Sequence, residues 1–165
     1  MIFISVGSRE YPFDRLIRKV DELVADGTIT DTVIGQIGHS RYEPKHFQWH
    51  RFLDRDVFRE HQAKADLIIS HAGAGALVSA LKLGKTVISV PRLYRYGEHI
   101  DDHQTQISGM FAQEGYLWEV LDMEDLGRVL QESVEHPVMR KYDKPSNVLA
   151  VIEGQLECWI REGVI

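Results

Sequence analysis

A chain of 165 residues falls in the single-domain range, and 44% hydrophobic with 27% charged residues is the composition of an ordinary globular protein. Those proportions exclude a disordered chain, a collagen-like repeat and a disulfide scaffold. The net charge of −6 argues against a nucleic-acid partner, which calls for a basic excess to neutralise phosphates.

Ile2 to Val6 predicts the first strand, ending in Gly7-Ser8. Its apolar run is too short for a signal peptide or a membrane span, so a cytoplasmic chain is expected. The lone Cys158 suits a reducing compartment. Phe13, Leu16, Ile17, Val20, Leu23 and Val24 share one helical face, and Gly27 stops that helix. Thr32 to Ile37 predicts a second strand and leads into Gly38. His39 to Asp54 is rich in His and aromatic residues, with a short strand expected around Phe47 to Leu53. A helix over Val57 to Ala65 follows. Asp66 to Ser70 is the clearest buried strand, and His71-Ala-Gly-Ala-Gly75 opens a helix reaching Leu83. Thr86 to Val90 is the next strand, closed by Pro91. A polar loop from Arg92 to His99 leads to a helix that Gly115 ends. Tyr116 to Val120 is a last strand. Asp122 caps a helix with Met123, Leu126, Val129, Leu130 and Val134 inward. Val148, Leu149, Ile152, Leu156 and Ile160 stripe a final amphipathic helix. Strands alternating with helices define one α/β domain over residues 1–165, a doubly wound Rossmann-like parallel sheet.

In such sheets ligands bind beyond the carboxyl ends of the strands, where three notable clusters fall. Gly73 and Gly75 let a backbone approach a ligand, and the helix that follows offers free N–H groups to a phosphate. The same small residues also suit close helix–sheet packing. The dinucleotide fingerprint is not met, since Val78 stands where a third glycine belongs, and no Walker motif is present. A redox enzyme or an ATPase is therefore disfavoured. In the third cluster, Arg92 and Arg95 are candidates to neutralise a diphosphate, while Glu98, Asp102 and Gln104 suit sugar hydroxyls. His46 and His50, like His99 and His103, stand at i, i+4. Neither pair has the H-E-x-x-H arrangement, no cysteine pair supports zinc, and no metal is expected. Ser-His-Asp hydrolysis lacks its G-x-S-x-G elbow.

Ser70-His-Ala-Gly-Ala-Gly75, then Leu83-Gly-Lys-Thr-Val-Ile-Ser-Val-Pro91, then Asp102-His-Gln104 resembles the C-terminal half of glycosyltransferase family 28. The likeness is to its small stand-alone members. These are the catalytic subunit of the two-part transferase of dolichol-linked oligosaccharide synthesis and the bacterial PssE-type subunits of exopolysaccharide assembly. Tyr96-Gly-Glu-His-Ile-Asp-Asp-His-Gln104 points to the bacterial branch.

The resemblance implies the donor-binding half of a GT-B enzyme, inverting and using a UDP-sugar, with no cofactor and no metal requirement. It places Gly7, Ser8, His71, Ala72, Gly73, Ala74 and Gly75 at the diphosphate, with Gln36 and Gly38 near the uracil. Gln104, Asp102 and His103 take the sugar. Ser79 stands where relatives carry a ribose-binding Glu, which leaves Glu98 as the nearest acidic substitute. The catalytic base is not assigned; Glu98 and His99 are weak candidates beside a base on another subunit. One domain supplies one wall of a cleft. A membrane-anchored acceptor-binding subunit, a lipid-linked saccharide acceptor and a cytoplasmic place at the inner face of the membrane are therefore expected. The rival readings are a nucleotide-sugar-binding or regulatory module without transfer activity, and a metal-dependent hydrolase at the paired histidines.

Overall fold

A computed structural model of the chain describes residues 1–138 and 141–143. Six parallel strands, β1 (Ile2–Ser5), β2 (Val33–Gln36), β3 (Gln48–His50), β4 (Leu67–His71), β5 (Thr86–Val90) and β6 (Trp118–Glu119), lie in the order β3-β2-β1-β4-β5-β6. The helices are α1 (Asp14–Ala25), α2 (Arg55–Lys64), α3 (Ala74–Lys82), α4 (His103–Gln113) and α5 (Leu126–Glu135). Each connects or follows the strands as the alternating pattern predicts.

The central strands β2, β1, β4 and β5 are mostly buried on both faces, and their two-residue period divides the apolar side chains between two cores. Ile2, Ile4, Ile69 and Ile88 face one core with Leu16, Ile17 and Val20 of α1 and Leu126 and Val129 of α5. Phe3, Ile68 and Val87 face the other, with Leu77 and Leu81 of α3 and Phe111 of α4. The α1 stripe lands as expected, because Leu16, Ile17, Val20 and Leu23 are all buried. Gly27 adopts φ +81 just beyond that helix, a left-handed turn that favours glycine. Val134 departs from expectation. It is 71% exposed while Met123, Leu126, Val129 and Leu130 are buried, because Ser133 takes the inward position in the last turn of α5. Asp122 accepts a hydrogen bond from Glu124 N at 3.1 Å, capping a 3-10 turn over Met123–Asp125. The striped helix expected around residues 148–160 lies outside the described residues.

Strand order reverses between β1 and β4, which pair in register from Ile2 with Leu67 to Ser5 with Ser70. The chain leaves β1 toward β2 and leaves β4 toward β5 on the opposite side. Their departing loops splay apart and open a crevice at the carboxyl edge.

Candidate functional site

Two adjoining hollows occupy that crevice. The larger, about 630 Å³, is bordered by the loops after β1 and β4, the start of α3 and the inner face of α2. The smaller, about 230 Å³, lies between the loop after β4 and the start of α4. Arg9, His71, Gly73 and Ala74 line both. A third hollow of about 680 Å³ lies at the opposite edge, beside Met1, Leu67 and Thr86 at the starts of their strands. Asp31, Asp66 and Glu135 line it, and that charge disfavours an anion.

The loop after β4 is built around a histidine. His71 Nδ1 lies 3.2 Å from the Ser5 carbonyl, which only accepts, so Nδ1 carries the proton and Nε2 is the unprotonated nitrogen. Burial pushes the imidazole pKa down to about 4, Arg92 and His99 push the same way, and the Ser5 bond opposes them. The ring fits because its neighbours lack side chains. A Cβ on Gly7 would stand 2.7 Å from Nε2, and one on Gly73 2.4 Å away. A Cβ on Gly75 meets nothing within 4 Å. The two glycines of the loop therefore differ: Gly73 makes room for His71, and Gly75 opens onto the hollow.

Helix α3 starts here without a side-chain cap. The Gly73 N–H donates to the His71 carbonyl at 2.8 Å, and the first helical bond runs from Leu77 N to Gly73 O. Ala74, Gly75 and Ala76, whose amides precede that bond, line the larger hollow, and amides at a helix start suit an anion. Arg9, Arg55 and Arg59 border the same space. Arg55, Phe58, Arg59 and Gln62 recur at i, i+3, i+4 and i+7, so α2 turns this whole face to the hollow. In the sequence only the helical spacing of these residues is visible, and not what they face.

Several expected site residues sit where the loops meet. Ser8, Ala74, Gly75 and Ser79 line the larger hollow, and Ser79 Oγ donates to Gln62 Oε1 at 2.9 Å. Gln36 also lines it, its Oε1 accepting from Leu53 N at 3.0 Å. His99, His103 and Gln104 line the smaller hollow. Gln104 Oε1 accepts from Arg92 N at 3.1 Å, which turns its amide to a positioning bond on one side and leaves Nε2 for a ligand.

Others are placed differently from expectation. Ala72 is fully buried in the core and Gly38 packs at φ +53, where a Cβ would stand 2.8 Å from the Gly7 carbonyl. Both shape the loops without lining either hollow. Asp102 Oδ1 accepts from Tyr94 N at 2.7 Å and likewise borders neither.

Arg92 and Glu98 show the largest difference. Arg92 is 2% exposed, and its guanidinium donates to the carbonyls of Tyr11, Pro12, Glu98 and Val6 at 2.5–3.2 Å. Burial lowers its pKa to about 10 against the raising effect of Glu98, so it stays charged near neutrality. Its Nη1 and Nη2 groups tie the loops after β1 and β5 together, while the residue also lines the smaller hollow. Glu98, 3% exposed, takes a bidentate pair from Arg15 at 3.0 and 2.9 Å and a third bond from Leu93 N at 3.0 Å. It lines neither hollow, so the expected ribose acceptor is instead a loop anchor, ion-paired with Arg15. Arg95 is exposed and lies 4.8 Å from the Tyr96 ring centroid, away from the crevice.

The depressed His71 pKa has a consequence for stability. Between about pH 6.5 and 4 the unfolded chain binds a proton on this residue that the native chain refuses. Its contribution therefore declines as pH falls through that window, by up to about 3 kcal/mol. Denaturant unfolding at pH 7 and pH 4.5 should show a loss that is smaller in His71→Gln; equal losses in both proteins would contradict the assignment.

A parallel sheet of order 3-2-1-4-5-6, with a glycine loop and an uncapped helix start at its switch point, defines a Rossmann-like α/β domain of the kind found in GT-B glycosyltransferases. The family model for the glycosyltransferase family 28 C-terminal domain matches residues 1–153, and the chain belongs to that family. Among its relatives is the human UDP-N-acetylglucosamine transferase subunit ALG13, 32% identical over 126 residues, which cover 71% of this chain and 11% of the relative. The Kluyveromyces lactis protein of the same name is 37% identical over 83 residues, covering 50% of this chain and 40% of that one. The chain thus spans about a tenth of the mammalian relatives and less than half of the yeast one. Among solved structures, the ALG13 solution structure aligns with a TM-score of 0.56 at 20% identity, over 88% of this chain and 90% of that one. Acinetobacter baumannii MurG aligns with 0.58 at 19%, over 81% and 40%. These structures establish a shared fold. Among the described residues no helix is long and apolar enough to cross a membrane.

Proposed function

We propose that this chain is the donor-binding, catalytic subunit of an inverting glycosyltransferase of bacterial polysaccharide synthesis. It moves a hexosyl or hexuronosyl group from a UDP-sugar to a lipid-linked acceptor. The observation that carries the reading is the anion site at the switch point, where three free amides of α3 and three arginines converge on one hollow. A departing diphosphate needs that stabilisation, and fixed amides and guanidinium groups supply it without a metal. The smaller hollow, with Gln104 on its wall, suits the sugar.

The acceptor side is a partner's. One domain forms one wall of a GT-B cleft, and the ALG13 relatives are named as subunits of a UDP-N-acetylglucosamine transferase. A membrane-anchored partner brings the lipid-linked acceptor and holds the chain at the inner face of the membrane. The resemblance of the stretch Tyr96 to Gln104 to the bacterial subunits is what favours the bacterial branch.

A second reading, a nucleotide-sugar-binding subunit without transfer activity, draws on one observation: no carboxylate lines either hollow among the described residues. The acceptor hydroxyl must then lose its proton to His99, to another histidine of the crevice, or to the partner.

The test is to combine the purified chain with its partner in vesicles containing lipid-linked acceptor and measure UDP release from a panel of UDP-sugars. Release is expected from one sugar nucleotide, only with both subunits, and undiminished by EDTA. A matching thermal upshift of the chain with UDP reports donor binding separately. UDP binding without release under any combination favours the second reading, and absence of both refutes the donor site.

A further inference from the structure

At the rim of the smaller hollow, three side chains with ligating atoms converge, and two of them, His99 and His103, also line it. His99 and Asp101 lie in the loop before α4, and His103 is the first residue of that helix. Their ligand atoms all fall within 4.8 Å of one another. His99 Nδ1 and Asp101 Oδ1 are 3.2 Å apart, and His103 Nδ1 contacts the same oxygen. The imidazole rings of His99 and His103 stand 4.7 Å apart at 69°, each presenting its Nδ1 to one carboxylate.

The second observation is His99 itself. Its side chain is 4% exposed, and its Nδ1 is buried without a hydrogen-bond partner even though Asp101 Oδ1 is near, because the two are misaligned for one. A buried ring nitrogen normally has a partner, and one left without costs free energy. A single proton satisfies only one pair within the trio. A divalent cation satisfies all three atoms at once, accepting a lone pair from each.

We infer that His99, Asp101 and His103 form a binding site for a divalent transition-metal ion of the zinc class. Two imidazoles and one carboxylate are a ligand set for such an ion and a poor one for magnesium or calcium, which take oxygen. In a tetrahedral site with bonds of about 2.0–2.2 Å, adjacent ligand atoms lie roughly 3.3 Å apart. The His99–Asp101 separation already meets that value. Rotation of the exposed His103 ring brings in the third ligand and leaves the fourth position to water. Bound there, the ion clasps the loop before α4 to the first turn of that helix. This site rests on the geometry of the three residues and not on the proposed transfer reaction, which does not require the ion.

Titration of the chain with zinc chloride by calorimetry, and with cobalt chloride by visible absorption, tests the inference. One ion per chain is expected, with the intense d–d absorption of a tetrahedral cobalt site, a raised melting temperature with zinc, and no response to magnesium. Asp101→Asn and His103→Ala, both at exposed positions, should each weaken zinc binding at least tenfold, whereas His50→Ala should leave it unchanged. Absence of one-to-one binding, an octahedral cobalt spectrum, or wild-type zinc affinity in either folded ligand variant would overturn it. If either ligand variant fails to fold, the cobalt spectrum of the wild-type chain still decides the coordination.

Discussion

Arg92→Ala should destabilise the fold by about 3–5 kcal/mol, and not act mainly on the donor. The substitution withdraws one buried cation from four backbone carbonyls, those of Val6, Tyr11, Pro12 and Glu98. Buried acceptors stripped of a donor cost about 1–3 kcal/mol each before relaxation, and removing one member of a buried charged network costs about 3–5. The guanidinium also stacks 4.8 Å from the Phe13 ring centroid, so packing is lost as well. For a domain of this size that is a melting temperature lower by about 10 °C or more. Arg92→Lys keeps the charge but not the planar fork, and falls between. Arg95→Ala, by contrast, changes stability by about 0.5 kcal/mol or less, as an exposed side chain should. Thermal and denaturant melts of the three variants check this. A stable Arg92→Ala protein that has lost only UDP binding would restore the phosphate role expected from its position after Pro91.

The second large effect separates Gly73 from Gly75. At Gly73 even a methyl group arrives 2.4 Å from His71 Nε2, and the ring cannot retreat without giving up its bond to Ser5. Gly73→Ala is therefore expected to displace the imidazole, to cost about 1–3 kcal/mol of stability, and to weaken UDP binding. At Gly75 an added Cβ meets nothing within 4 Å. Gly75→Val should fold with a stability within about 1 kcal/mol of the wild type, since valine is no worse a helix former than glycine. Its branched side chain nevertheless occupies the space beside the free amides of α3, so UDP affinity should fall at least tenfold. Calorimetric titration with UDP, run alongside melts of both variants, reads the two quantities separately. Wild-type UDP affinity in a folded Gly75→Val protein would remove the anion site from the start of α3.

What was legible in the sequence follows from local physics. Apolar runs of period two and period 3.6 are properties of neighbouring residues, so the strands from Ile2 to Trp118 and the buried face of α1 were all readable. So was the doubly wound class, and with it the carboxyl edge as the place for a ligand. The glycine loop was readable too, because a strand, a His-Ala-Gly-Ala-Gly turn and a helix are contiguous. What the turn's glycines do was not: Gly73 answers to the ring of His71, and Gly7 reaches that same ring from the end of another strand. Residues distant in the chain decided the rest. Arg92 appeared free for a phosphate because nothing near it in sequence shows that the Val6, Tyr11 and Pro12 carbonyls arrive beside it. Glu98 appeared free for a ribose until Arg15, from α1, closed on it. The arginines of α2 entered the site for the same reason in reverse, since only packing against the sheet sets which face of a polar helix borders the hollow. A side chain's type and spacing are local, whereas the partner that consumes or frees its charge is supplied by tertiary folding.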